Sequence, residues 1–137
     1  MELSDASALP APTRFSIACG FALAVVFASL AHPPAFVDQT GMFGDVGIDK
    51  WIHAGSYALV TFLLAYAVLA ESVLSLVGIA AVAIALGIGV EFVQSTIAWR
   101  SKEAADVIAN VTGTIVAVGA WKLVQWWLPA GPNRSGD

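Results

Sequence analysis

IDKWIHAGSYALVTFLLAYAVLAESVLSLVGIAAVAIALGIGVEFVQSTIA, residues 48 to 98, decides the architecture. A bilayer core is ~30 Å thick and about 20 apolar residues of helix cross it. A run of about fifty such residues is therefore too long for one span. Glu71-Ser72 is the polar break near its middle. It divides the run into helix 2, about Asp49 to Ala70, and helix 3, about Val73 to Ile97, joined by a tight hairpin. The stretch also raises a question. Its first helix opens with Asp49, Lys50 and His53, and charge at the mouth of a membrane helix costs free energy that something must offset.

Upstream, Phe15 to Ala31 is apolar and just long enough to span. Ser29-Leu30-Ala31 resembles a small-x-small cleavage site, but the leader MELSDASALPAPTR is acidic with Arg14 its one base, so a retained first helix is expected. His32 to Gly47 holds two prolines, three glycines and two aspartates and reads as a loop, with His32 an interfacial residue. Downstream, Trp99-Arg100-Ser101-Lys102-Glu103 is a short polar loop in which Ser101 can cap helix 4. Glu103 then falls in the first turn, where the helix dipole favours an anion. Helix 4 runs to about Leu128 and stops at Pro129. The expectation is an all-α integral membrane four-helix bundle with short loops, spanning residues 15–128, between disordered tails at 1–14 and 129–137.

Composition agrees. Of 137 residues, 58% are hydrophobic and 12% charged, about half the ~25% of a soluble domain. The net charge of -4 is scattered, so no nucleic-acid partner is expected. The single cysteine, Cys19, excludes an internal disulfide. Four spans put both termini on one side, with Trp51 and Trp99 at one interface and Trp126 and Trp127 at the other. Arg14, Lys122 and Arg134 on one face balance Lys50, Arg100 and Lys102 on the other, so the positive-inside rule is silent.

The topology brings together the start of helix 2, the end of helix 3 and the start of helix 4. Those segments hold Asp49, Lys50, His53 and Tyr57, then Glu91 and Gln94, then Arg100, Lys102, Asp106 and Asn110. The other half of the bundle reads as almost bare of polar groups. Lys50, His53 and Tyr57 share one helical stripe, and Asp49 stands four residues from His53, where it can orient the imidazole. Counting ~1.5 Å per residue puts Glu91 roughly 10 Å below the end of helix 3 and Asp106 roughly 6 Å below the start of helix 4. These depths suit a pocket open to the headgroups. Bland readings exist beside this one: Lys50 can snorkel to the headgroups, Asn110 can be interhelical glue, and the whole set can be a structural network.

His53, Glu91 and Asp106 are the candidate catalytic residues, and Asp49, Lys50, Tyr57, Gln94, Arg100 and Asn110 the candidate ligand-binding ones. No metal motif of recognised spacing occurs and no cofactor is expected. His53, Glu91 and Asp106 can in principle ligate a metal, but nothing in their spacing requires one. Ala109, Gly113 and Ala117 repeat every four residues, the small-xxx-small pattern of close helix approach, and Gly87 and Gly89 are read the same way.

Asp49-Lys50-x-x-His53-x-x-x-Tyr57, Glu91-x-x-Gln94 and Arg100 with Asp106, Asn110 and Gly113 resemble the VanZ-like family in order and spacing over about residues 45 to 120. Family members often have Gly or Pro before the arginine, where this chain has Ala98-Trp99. The resemblance implies a small prokaryotic protein of the cytoplasmic membrane with a cell-envelope role linked to teicoplanin resistance. With the Asp-containing first loop, it places the termini in the cytoplasm and the pocket on the outer face. An anionic lipid or lipid-linked precursor, held by Lys50, Arg100 and His53 with Glu91 or Asp106 as general base, is the leading expectation. A proton-coupled exporter and a purely structural subunit are the alternatives.

Overall fold

Lipid offers backbone groups no hydrogen bonds, so an apolar run that crosses a bilayer folds as helix. The computed structural model describes residues 8–31, 40–43, 46–98 and 104–127. It contains α1 (Ala11–Leu30), β1 (Thr40–Phe43), β2 (Val46–Gly47), α2 (Ile48–Val68), α3 (Val73–Gln94) and α4 (Ala104–Trp127). All four helices are long and apolar enough to span a membrane, and they pack against each other. The all-α membrane bundle read from sequence is the fold observed. Residues 1–7, His32, residues 99–103, Leu128 and the tail 129–137 lie outside the described residues, whereas the second half of the expected N-terminal tail, 8–14, is described and enters α1 at Ala11.

Three boundaries differ from expectation. α1 begins four residues before Phe15, because Pro10 and Pro12 stand at the helix start, where a missing N–H is tolerated. Part of the loop between α1 and α2 is an antiparallel hairpin, with Thr40 opposite Gly47 and Phe43 opposite Val46. α3 ends at Gln94 rather than Ile97. Ser95 and Thr96 hydroxyls donate to the Phe92 and Val93 carbonyls at 2.6 and 2.7 Å, so side chains compete for the acceptors that another helical turn would use.

α2 is the central helix. It contacts α1, α3 and α4, and its interface with α4 is the most extensive. Gly113 makes that closeness possible, since a side-chain carbon there would land on the Ala54 carbonyl. Gly87 faces Tyr57 and Asn110, but Gly89 has open space around it and serves no close approach. Midway along the interface the Thr61 hydroxyl donates to the Tyr57 carbonyl at 2.7 Å, and Thr114 to that of Asn110 at 3.0 Å.

The half of the bundle expected to be bare is not. Arg14, only 6% exposed, donates to the Ala67 carbonyl at 3.2 Å and to that of Leu9 at 2.8 Å. Leu69 closes α2 in the left-handed region (φ 50°), a conformation that costs a residue with a side chain about 1–2 kcal/mol. Around that turn Trp121 Nε1 donates to the Ala70 carbonyl at 2.7 Å, joined by Gln125 Nε2, while Lys122 reaches the Glu71 carbonyl at 3.2 Å. Phe62 and Tyr66 meet the Trp121 ring edge-on at 5.3 and 6.4 Å between centroids. Ser72 then caps α3, accepting from the Ser75 N–H at 3.0 Å.

Candidate functional site

Helical spacing sets which side chains of α2 face inward. Lys50, His53 and Tyr57 lie on the stripe turned toward α3 and α4, and Tyr57 is fully buried. α4 answers with Asp106 and Asn110, one turn apart and both buried, and α3 with buried Glu91. Asp106 stands in the first turn of α4, where the dipole stabilises its charge. Glu91 stands in the last turn of α3, at the pole that favours a cation.

The side chains meet. Lys50 Nζ lies 2.7 Å from Asp106 Oδ1 and also binds Asp49, so one ammonium serves two carboxylates. His53 Nδ1 is 3.1 Å from Asn110 Oδ1. An amide oxygen only accepts, so in this pair Nδ1 is the donor. The other ring nitrogen, Nε2, lies 3.9 Å from Asp106 Oδ2, too far for a hydrogen bond. One donor atom from each of His53, Glu91 and Asp106 lies within 4.8 Å of the other two. Helices 2, 3 and 4 thus bring a base, two acids, an ammonium and an amide to one end of the bundle.

Several details depart from the sequence reading. Asp49 turns to Lys50, and Asn110 orients the imidazole instead. Gln94 is buried, but its amide donates to the Ser29 carbonyl at 2.7 Å, tying α3 to the end of α1 rather than to the acids. Depths are smaller than expected. Glu91 is three residues from the end of α3 and Asp106 two from the start of α4, about 5 and 3 Å of rise. Arg100 and Lys102 lie outside the described residues. Arg14 and Gln125, buried at the far end, were missed. Arg14 sits in a stretch whose composition reads as a tail, and Gln125 stands beside interfacial tryptophans.

Tyr57 Oη and Asn110 Nδ2 are buried and have no hydrogen-bond partner among the described residues. Both side chains pack closely on Gly87, where an added side-chain carbon would lie 3.1 Å from each of them. Far from this cluster, an apolar groove of about 240 Å³ runs between the first half of α3 and the second half of α4, lined by Leu76, Ile84, Ile115 and Val118. No family model, no curated protein and no solved structure matches this chain.

Proposed function

We propose that this membrane protein is VanZ-like and binds the anionic headgroup of an envelope lipid or lipid-linked precursor at the end of the bundle that holds Lys50. The observation that carries the reading is the convergence of Lys50, His53, Asp106 and Asn110 from two helices at one end of the bundle, with Lys50 2.7 Å from Asp106. An ammonium already shared by two carboxylates can exchange one of them for a phosphate oxygen and form a charge-assisted bond of similar strength. Tyr57 and Asn110 have donors left to add to it. His53, with a lone pair on Nε2, is the group best disposed to take a proton if a reaction follows.

Mass spectrometry of lipids co-purifying with the protein tests this reading. An anionic lipid is expected at about one per chain and is expected to be lost in Lys50→Ala, with neutral lipids unaffected. Equal anionic-lipid content in the parent and the variant counts against it. Orientation is tested apart from binding. We place the protein in the cytoplasmic membrane of a prokaryote, its termini in the cytoplasm. A reporter active only in the periplasm, fused after Asp137, should therefore be silent. An active reporter reverses the topology.

A further inference from the structure

We infer that His53, Glu91 and Asp106 hold a divalent first-row transition-metal ion, of which Zn²⁺ is the natural probe. The site shares residues with the lipid reading but not its premise, because an ion can bind with no lipid present.

Four observations converge. Donor atoms of three residues from three separate helices lie within 4.8 Å of one another. Bonds of ~2.0–2.1 Å at tetrahedral angles set such atoms roughly 3.3 Å apart, so a contraction of under ~1.5 Å closes the set on an ion. His53 is held as a metal ligand usually is: Nδ1 is fixed by Asn110 Oδ1 at 3.1 Å, which leaves Nε2 free on the side of Asp106 Oδ2. The 3.9 Å between Nε2 and that oxygen suits two ligands flanking one centre better than two groups bonded to each other. Glu91 lies at the negative pole of α3, where a cation is favoured.

The fourth observation concerns what completes the shell. Tyr57 Oη and Asn110 Nδ2, on residues 1% and 2% exposed, have no partner among the described residues, and both side chains pack against Gly87 beside the cluster. Three protein ligands leave a tetrahedral ion one open position. A water or a phosphate oxygen there would accept hydrogen bonds from these two donors. A nitrogen with two carboxylates suits Zn²⁺, Fe²⁺ or Mn²⁺, and the imidazole disfavours Mg²⁺.

The test is metal titration of the full chain in detergent micelles after chelation, with Zn²⁺ by calorimetry and Co²⁺ by visible absorption. About one Zn²⁺ per chain is expected, with Mg²⁺ binding at least ~100-fold more weakly. Glu91→Gln and His53→Ala should each weaken Zn²⁺ by more than ~100-fold, and Asn110→Ala, acting through the ring orientation, by ~10–100-fold. Should His53→Ala fail to fold, a His32→Gln variant leaves a single imidazole, whose ring protons Co²⁺ must shift in NMR spectra of an otherwise intact site. Substoichiometric binding, unshifted His53 protons, or Glu91→Gln binding Zn²⁺ like the parent would overturn the inference. Zn²⁺ binding without a co-purifying anionic lipid would sink the lipid reading alone. Lysine-dependent lipid without Zn²⁺ binding would sink the metal site alone.

Discussion

Lys50→Met is expected to destabilise the bundle by about 3 kcal/mol, because breaking a buried ion pair from one side leaves its partner's charge uncompensated. Here two carboxylates, Asp49 and Asp106, lose the same ammonium. Asp106→Asn should cost less, about 1–2 kcal/mol, since Lys50 keeps Asp49 and the amide still fits the site. The double variant should be nearer the parent than Lys50→Met is. Unfolding in mixed detergent micelles measures all three. Lipid retention then divides the roles: a structural pair regains both stability and lipid in the double variant, whereas a binding site regains stability alone. If all three variants unfold with the parent, the paired cluster is not what holds this end together.

The second large effect is expected from one methyl group. Gly113→Ala puts a carbon onto the Ala54 carbonyl, a backbone atom that moves only if α2 and α4 part. Overpacking of this kind costs ~1–3 kcal/mol, and the upper end is expected because the obstacle is main chain. Gly89→Ala serves as the control: nothing lies near its added carbon, so it should be neutral or gain up to ~1 kcal/mol from helix propensity. Gly87→Ala falls between them in stability, because its neighbours are side chains that can yield. It should nevertheless weaken binding, since the added carbon displaces the Tyr57 and Asn110 side chains it would press on. Thermal unfolding of the three variants checks the order. Gly113→Ala melting with Gly89→Ala would contradict the crossing described.

The comparison of those glycines shows what a sequence of this kind discloses. Span number, helix type and the end that gathers the polar residues follow from run length and spacing. Both are local properties and survive any detail of packing. Gly113 and Gly89 look alike in such a reading, because nothing local says which faces a neighbouring backbone. The same holds for Lys50, which has two acids within reach, and for Gln94, whose amide goes to a carbonyl 65 positions away in α1. Spacing puts a group on a face; its partner depends on how far the helices slide and rotate against each other. The early end of α3 was signalled by Ser95-Thr96, but hydrophobicity outweighed the tendency of hydroxyls to take the final carbonyls. Arg14 escaped notice for a different reason. A lone arginine near a chain end is ordinarily solvated, and here carbonyls of α2's last turn and of Leu9 help to make burial tolerable.

That last turn also bears on the order in which the chain is built. The Ala70 carbonyl, in a residue 2% exposed, receives donors from Trp121 and Gln125, about fifty residues further along. Until α4 emerges and inserts, the α2–α3 hairpin must keep that acceptor near water or leave it unmet. Without α4, α1 to α3 therefore lack the two donors that close this turn in the folded protein. α4 supplies both donors, and the same helix brings Asp106 and Asn110 to His53 at the other end of the bundle. One helix thus closes the turn and completes the polar cluster, so a chain cut before Ala104 is expected to lack both.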